Sequence, residues 1–207
     1  MPKIILHDEV QQGSDEWFKL RLGSIGGSKA YDLIAANGKG KMRQNILYDL
    51  ASERITGQPT EHFKFRHADR GHEYEPEARA FYEYKRNVTV DLVAIILSDT
   101  HGLHFSPDGM VGRTGITEFK VRLPSVYLEL YANRKFDLKD MTQCQHAYFV
   151  YPELEWVDYV NYCPEIPDLD KRGFITRIER DDEVQKKLKE CSELFFKDLD
   201  KLVRRMG

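Results

Sequence analysis

Apolar residues recur with a helical period through the first third of the chain. Ser14 opens one amphipathic stretch and Gly23 closes it, which predicts a first helix between them. The same apolar spacing predicts three further helices, over 28–36, 42–56 and 63–84. Pro76 lies inside the last of these, so we expect a kink or a break into two helices there.

The pattern changes beyond residue 87 to β-branched and apolar runs, which are typical of strands. Strands are predicted over 88–90, 92–97, 102–106, 115–121, 156–162 and 173–179, and helices over 124–134 and 140–150. A charged amphipathic helix is predicted at the end of the chain, with an apolar stripe formed by Leu188, Leu194, Phe195, Leu199 and Leu202.

This order of elements predicts an α/β (α+β) fold in which a central mixed sheet is flanked by helices. At 207 residues the chain fits one domain with a substantial core. We therefore predict a single domain over 1–207, built from a helical N-terminal third (about 14–85), a sheet core (about 88–180) and a C-terminal helix (about 181–205).

Composition and charge narrow the class of protein. Apolar residues make up 41% of the chain and charged residues 31%, which is ordinary for a globular protein. No apolar run approaches the ~20 residues that cross a bilayer, and the start of the chain lacks a secretory signal. We therefore expect no membrane association and a cytoplasmic location. The net charge of −3 argues against coating nucleic acid through a general basic surface, but a local basic groove is compatible with it.

The most informative motif places two acids and a lysine around a Pro-containing turn. Asp108 follows Ser-Pro, and Glu118-Phe119-Lys120 comes ten positions later. On a strand, Glu118 and Lys120 share one face while Phe119 points to the other. Two carboxylates beside an ammonium can hold divalent metal ions against a phosphodiester and orient an attacking water. A β-hairpin carrying a surface Glu–Lys pair explains the same residues and stays open.

Two further polar residues are candidates for the same site. Glu75 shares a helix face with Ala78 and Tyr82 and is either a third carboxylate of a metal site or part of a solvated acidic face. Gln143 falls on a predicted helix and either hydrogen-bonds the attacking water or a phosphate oxygen, or is a surface amide. Their spacing alone does not separate these alternatives.

Arg21 and Ser28 flank the junction between the first two predicted helices. A helix N-terminus with an arginine and a hydroxyl beside it can bind a phosphate. Simple helix capping explains the same residues, and spacing alone favours capping. Two basic clusters lie nearby: Lys39, Lys41 and Arg43 form one, and Lys64 and Arg66 with Phe63 and Phe65 form the other. They either line a groove for a DNA backbone, with the aromatic rings stacking on an unpaired base, or are ordinary solvated charges.

Together these blocks resemble the lambda exonuclease family, also called the YqaJ-type viral recombinase nucleases. Four blocks occur in the family's order across residues 14–150. They are Glu16-Trp17…Arg21-Leu22-Gly23…Ser28, Arg70-Gly71…Glu75…Ala78, Ser106-Pro107-Asp108-Gly109…Glu118-Phe119-Lys120, and Gln143-Cys144-Gln145. The last third of the chain adds no block of this kind.

The resemblance implies a restriction-endonuclease-like core that binds two Mg²⁺ or Mn²⁺ ions. By the same resemblance, Asp108, Glu118 and the Phe119 carbonyl ligate metal, and Glu75 serves the second ion or its water. Lys120 positions or activates the attacking water, and Gln143 supports the site. Arg21 with Ser28 holds a terminal 5′-phosphate.

The activity that the resemblance implies is 5′-to-3′ degradation of one strand of linear double-stranded DNA. This leaves a 3′ overhang for a single-strand annealing protein, and family members, many of them from phages, commonly form a ring-shaped trimer around the duplex. An endonuclease or single-strand nuclease on the same core is the nearest alternative. A catalytically silent DNA-end-binding recombination partner and a purely structural module are alternatives of a different class.

Overall fold

A computed structural model describes residues 1–60, 66–99 and 102–206 of the chain. The helices within these ranges are α1 (Asp15–Arg21), α2 (Gly27–Ile34), α3 (Lys41–Thr56), α4 (Arg66–Arg86), α5 (Pro124–Asn133), α6 (Leu138–Val150) and α7 (Asp182–Met206). The strands are β1 (Lys3–Leu6), β2 (Val93–Leu97), β3 (His104–Phe105), β4 (Gly109–Val111), β5 (Gly115–Val121), β6 (Trp156–Tyr162) and β7 (Gly173–Ile178). None of the helices described here is long and apolar enough to cross a membrane.

The principal sheet is mixed and has the strand order β4-β5-β6-β7. β5 and β6 run parallel, while the β4–β5 and β6–β7 pairs are antiparallel. A parallel pair requires a crossover, and α5 and α6 supply it between β5 and β6. The crossover places α6 close to the carboxyl end of β5. The mixed sheet flanked by helices is therefore confirmed.

A second, antiparallel sheet with the order β1-β2-β3 lies beside the first. Backbone hydrogen bonds between Asp91 and Met110 connect the segment before β2 to the principal sheet. The prediction contained no β1, because four residues have little pattern of their own and form a strand only by pairing with β2. The predicted strand at 88–90 is wrong: the Val90 amide donates to the Glu83 carboxylate at 2.8 Å instead of entering a ladder.

The helix predictions hold with two corrections. α4 runs from Arg66 to Arg86 as one helix with Pro76 inside it, so of the two expected outcomes at Pro76, a kink or a break into two helices, the break is wrong. In α7, Leu188, Phe195 and Leu199 are fully buried, but Leu194 is 60% exposed and does not belong to the apolar stripe.

The largest core lies where α2, α3, α6 and α7 pack together with the inner faces of both sheets. Its fully buried members include Leu33, Ile96, Ile116, Phe195 and Leu199. A smaller cluster joins α4 to the principal sheet, since Ala78 and Tyr82 pack beside Phe119 and Val160. These two cores fix α4 on one side of β5 and α6 on the other. The residues between them are the candidate site.

Candidate active site

The register of β4 against β5 brings Asp108 and Glu118 together. Gly109 pairs with Thr117, so the preceding residue, Asp108, lies opposite Glu118 across the antiparallel pair. The Asp108 carboxylate also accepts a hydrogen bond from the Phe119 amide at 2.7 Å. The Pro-containing turn and the strand alternation thus place the two acids side by side, as the motif predicts.

Lys120 lies on the same face of β5 as Glu118 and contacts it directly. Its Nζ is 2.7 Å from Glu118 Oε1 and 4.0 Å from Asp140 Oδ1. Gln143 on α6 donates to the same Glu118 oxygen at 2.5 Å, and its own amide oxygen is 3.4 Å from Lys120 Nζ. The interpretation of Gln143 as an isolated surface amide is therefore wrong. A surface Glu–Lys pair is excluded too, because Glu118 is 2% exposed.

Glu75 reaches the cluster from α4. Ala78, one turn further along the helix, is fully buried beside Phe119 of β5, and the Glu75 side chain is 29% exposed. Burial raises the pKa of Glu75, and the charge of Glu118 raises it further, against the opposing charges of Arg79 and Lys120. Glu73 and Glu77 are exposed. Glu75 is thus the α4 carboxylate whose charge acts on Asp108 and which feels the charge of Glu118.

The carboxylates share an environment that disfavours their ionised forms. Burial raises the pKa of Asp108 to about 7, and the charge of Glu75 adds to the shift. Burial together with the charge of Asp108 raises the pKa of Glu118 to about 8. Burial opposes protonation of Lys120, but the charges of Glu118, Asp108 and Asp140 outweigh it and raise the Lys120 pKa. A bound cation would stabilise the ionised carboxylates of such a cluster.

The donor set fits a divalent metal ion. Glu118 Oε2 is buried and has no hydrogen-bond partner among the described residues, a costly arrangement that a bound cation would relieve. Hard ions such as Mg²⁺ and Mn²⁺ prefer carboxylate and carbonyl oxygens, which this site supplies. Within the described ranges, no three His, Cys, Asp or Glu side chains enclose an ion by themselves. An ion here would need backbone, water or substrate oxygens as well.

A second feature, a pocket of about 170 Å³, opens beside the carboxylate cluster. Arg21 and Ser28 both line it, and so does Gln143. The residues around it are Gln12, Trp17, Arg21, Gly27, Ser28, His104, Phe105, Ser106 and Gln143. Because Gln143 also contacts Glu118, one side chain joins the pocket to the carboxylate cluster.

Arg21 is held inside this pocket by its neighbours. Its guanidinium carbon lies 3.9 Å from the centre of the Trp17 ring, and its Nε donates to His104 Nε2 at 2.9 Å. Burial lowers the pKa of Arg21 to about 10, with Glu53 acting in the opposite direction, so the side chain is cationic at neutral pH. Ser28 lies in the first turn of α2, is exposed and lines the same pocket, next to the unpaired amides of the helix N-terminus. Capping alone does not account for a partly buried arginine held by Trp17 and His104.

Several residues of the site were not predicted from the sequence. Asp140 accepts hydrogen bonds from Arg122 and Tyr159, which together with Lys120 lower its pKa although burial opposes ionisation. His104 contacts Arg21 and His146 is fully buried, donating from Nε2 to the His104 carbonyl at 3.0 Å. Their positions depend on how α6 packs on the sheets, which no local spacing encodes.

The predicted basic groove is only partly described. Arg43 is 8% exposed and forms an ion pair with Asp198 at 2.6 Å, so it does not face DNA. Lys39 and Lys41 are exposed. Phe63, Lys64 and Phe65 lie outside the described residues, and Arg66 is described only as the first residue of α4.

Comparisons with known proteins agree with this geometry. The family model described as the YqaJ-like viral recombinase domain matches residues 16–151. The crystal structure of an alkaline exonuclease, LHK-Exo, from Laribacter hongkongensis is 31% identical with a TM-score of 0.79, covering 93% of this chain and 98% of that one. Its complex with dAMP is 32% identical with a TM-score of 0.83, covering 93% of this chain and 96% of that one.

A phage-related exonuclease from Haemophilus somnus 129PT shares the fold at 14% identity, with a TM-score of 0.63 over 92% of this chain and 99% of that one. The comparison with curated proteins gives no match. The family model covers more than half of the chain, and the LHK-Exo structures cover nearly all of it above 30% identity. The chain therefore belongs to the YqaJ-like viral recombinase domain family and shares the fold of the alkaline exonuclease LHK-Exo.

Proposed function

We propose that this protein is a metal-dependent exonuclease that degrades one strand of linear double-stranded DNA from the 5′ end. One observation carries the proposal. Gln143 lines the pocket that contains Arg21 and Ser28, and the same side chain donates to Glu118 at 2.5 Å. A pocket that contains a cationic arginine therefore adjoins the carboxylate cluster, and this adjacency supports a site that holds a chain terminus next to the hydrolytic groups.

Asp108, Glu118 and the Phe119 carbonyl are the proposed ligands of one Mg²⁺ or Mn²⁺ ion, and Glu75 serves a second ion or its water. The ions would supply electrostatic stabilisation of the attacking and leaving oxygens of the displacement. Two observations support this assignment: Glu118 Oε2 has no hydrogen-bond partner among the described residues, and the pKa values of Asp108 and Glu118 are raised, so a bound cation would stabilise their ionised forms.

Lys120 and Gln143 are proposed to orient the attacking water. Lys120 is held as an ammonium by the surrounding acids, and three N–H donors on one flexible stem can direct a water or a phosphate oxygen while offsetting negative charge. Gln143 fixes the Glu118 carboxylate from the α6 side. Both side chains act at the boundary between the two parts of the site.

Arg21 and Ser28 are proposed to bind the terminal 5′-phosphate. Trp17 and His104 hold the guanidinium, and the α2 amides add a partial positive charge to the same pocket. The relative from L. hongkongensis is solved with dAMP, a nucleoside monophosphate. A binding site for such a phosphate favours an exonuclease over an endonuclease on the same core.

The remaining parts of the proposal concern the assembly. We propose that residues 1–207 act as a single nuclease domain and that three copies form a ring around the duplex. A net charge of −3 provides no general attraction to DNA, so a ring that encircles the duplex would keep the enzyme on its substrate. The product is a duplex with a 3′ overhang, passed to a single-strand annealing protein in the cytoplasm of a bacterial host.

Digestion of a linear duplex labelled at either end of one strand tests this function. With Mg²⁺ and a 5′-phosphate, the 5′ label should be released first as a mononucleotide, and a closed circle of the same sequence should stay intact. Cutting of the circle would favour the endonuclease. Early release of the 3′ label would contradict the direction, and end binding without hydrolysis would indicate the silent partner.

A further inference from the structure

We propose that His104 is a positioning residue that, together with Ser24, fixes the Arg21 guanidinium for bidentate capture of a terminal phosphate. Three hydrogen bonds form a closed loop around these residues. Arg21 Nε donates to His104 Nε2 at 2.9 Å, His104 Nδ1 is 2.7 Å from Ser24 Oγ, and Ser24 Oγ donates to the Arg21 carbonyl at 2.7 Å.

The loop determines where each proton lies. Arginine has no acceptor, so His104 Nε2 must be unprotonated and its ring proton must sit on Nδ1. That proton is donated to Ser24 Oγ, whose own proton is already directed to the Arg21 carbonyl. Every donor in the loop therefore has one acceptor, and only the neutral form of His104 satisfies it.

The surroundings keep His104 in that form. The residue is 2% exposed, and burial, with contributions from Arg21 and His146, lowers its pKa well below the ordinary value. Gly26 provides the space for the ring, because a Cβ at that position would lie 2.5 Å from His104 Nε2. His104 is thus fixed by its backbone, its ring contacts and the shape of the pocket.

These contacts leave the two terminal nitrogens of the Arg21 guanidinium available to a ligand. His104 occupies Nε and Trp17 covers one face of the guanidinium. In the described parts of the chain, no hydrogen bond reaches the two terminal nitrogens of Arg21. Two parallel N–H groups with a fixed direction are the arrangement that binds a phosphate through two oxygens. His104, whose two ring nitrogens are already engaged by Arg21 and Ser24, therefore sets the direction of the fork.

This inference rests on the proposed function of Arg21, and its test separates the two. The measured quantity is the ratio of kcat/KM for a 5′-phosphorylated duplex to that for the same duplex with a 5′-hydroxyl. Arg21→Ala should reduce this ratio to near one, whereas Lys19→Ala, which removes an exposed charge from the same helix, should leave it unchanged. An unchanged ratio in Arg21→Ala would overturn both the phosphate site and this inference.

His104→Ala should lower the ratio about 10-fold in the wild-type background and should not change it further when combined with Arg21→Ala. His104→Gln, whose side-chain oxygen can reach Arg21, should retain most of the ratio, and the shorter His104→Asn should not. A purely structural role would reduce activity on both duplexes equally. That result, with Arg21→Ala behaving as expected, would overturn the inference alone.

Ser24→Ala provides an independent test if His104→Ala fails to fold. It removes the acceptor of the His104 ring proton while leaving the ring in place. We expect a smaller decrease in the same ratio, again absent in the Arg21→Ala background. A ratio identical to that of the wild type in folded Ser24→Ala would contradict the closed loop.

Discussion

Glu75 is the α4 carboxylate whose charge acts on Asp108, while Glu73, two positions earlier on the same helix, is exposed. Comparing the same substitution at Glu75 and at Glu73 separates the loss of a site residue from the loss of a negative charge alone. Glu75→Gln should lower Mg²⁺-dependent cleavage by about 10- to 100-fold, because an acid that serves the metal or its water is lost. Glu73→Gln should have the activity of the wild type. If both substitutions change the single-turnover cleavage rate equally, the proposed role of Glu75 in the site is contradicted.

The raised pKa values of Asp108 and Glu118 predict how pH acts on the metal-free protein. Each carboxyl group binds its proton more tightly in the folded than in the unfolded chain, so its contribution to stability is present at low pH. That contribution is lost as pH rises from the unfolded values near 4 towards the folded values of about 7 and about 8.

Mg²⁺ should reverse this loss, since protons and metal compete for the same oxygens. We expect the increase in Tm caused by Mg²⁺ to be larger at about pH 8.5 than at about pH 6. Thermal unfolding at both pH values, with Asp108→Asn as the control that lacks the site, measures it. An increase in Tm that is independent of pH, or that persists in Asp108→Asn, would contradict the proposed ligands.

At the scale of elements, α4 positions Glu75 through close packing against β5. Ala78 is fully buried against β5, whereas Ala80 on the same helix is exposed to solvent. Ala78→Leu should lower the free energy of unfolding by about 1–3 kcal/mol, because the added atoms overpack the interface. Ala80→Leu should change it by less than about 0.5 kcal/mol. Urea unfolding of both variants checks this, and equal effects would show that α4 does not pack closely at Ala78.

The elements also show what the sequence could and could not predict. β5 and β6 were predicted at their observed bounds, because alternation of apolar and polar residues is a strong local signal. Two metal-ligand candidates followed from local pattern: Glu118 from the alternation of side chains along β5, and Asp108 from the Pro-containing turn that precedes β4. β1 was missed because four residues form a strand only through pairing with β2, and Asp140 and His104 were missed because tertiary packing places them.

At the scale of the whole molecule, the two parts of the site come from distant segments. α1 and α2 supply residues of the proposed phosphate pocket, the turn before β4 together with β5 and α4 supplies the acids, and α6 joins the two parts through Gln143. Resemblance supplied the roles of Arg21 and Ser28, for which spacing alone favoured capping. The structure adds that they share one pocket with Gln143.

The proposed ring has a simple physical test. The chain has a mass of 24.2 kDa, so size-exclusion chromatography with light scattering should give three times that mass. Such a ring should also stay on one duplex through many cleavage steps when unlabelled competitor DNA is added. A monomeric mass together with rapid transfer to the competitor would contradict encirclement.

The central claim is that Asp108, Glu118 and Glu75 gather around shared cations beside a pocket for a 5′-phosphate. Anomalous diffraction from crystals grown with Mn²⁺ and a 5′-phosphorylated duplex end tests it most directly. The account predicts Mn²⁺ bound by Asp108 and Glu118, with the terminal phosphate in hydrogen-bonding contact with Arg21. Mn²⁺ bound away from these carboxylates, or a phosphate bound outside the Arg21 pocket, would contradict it.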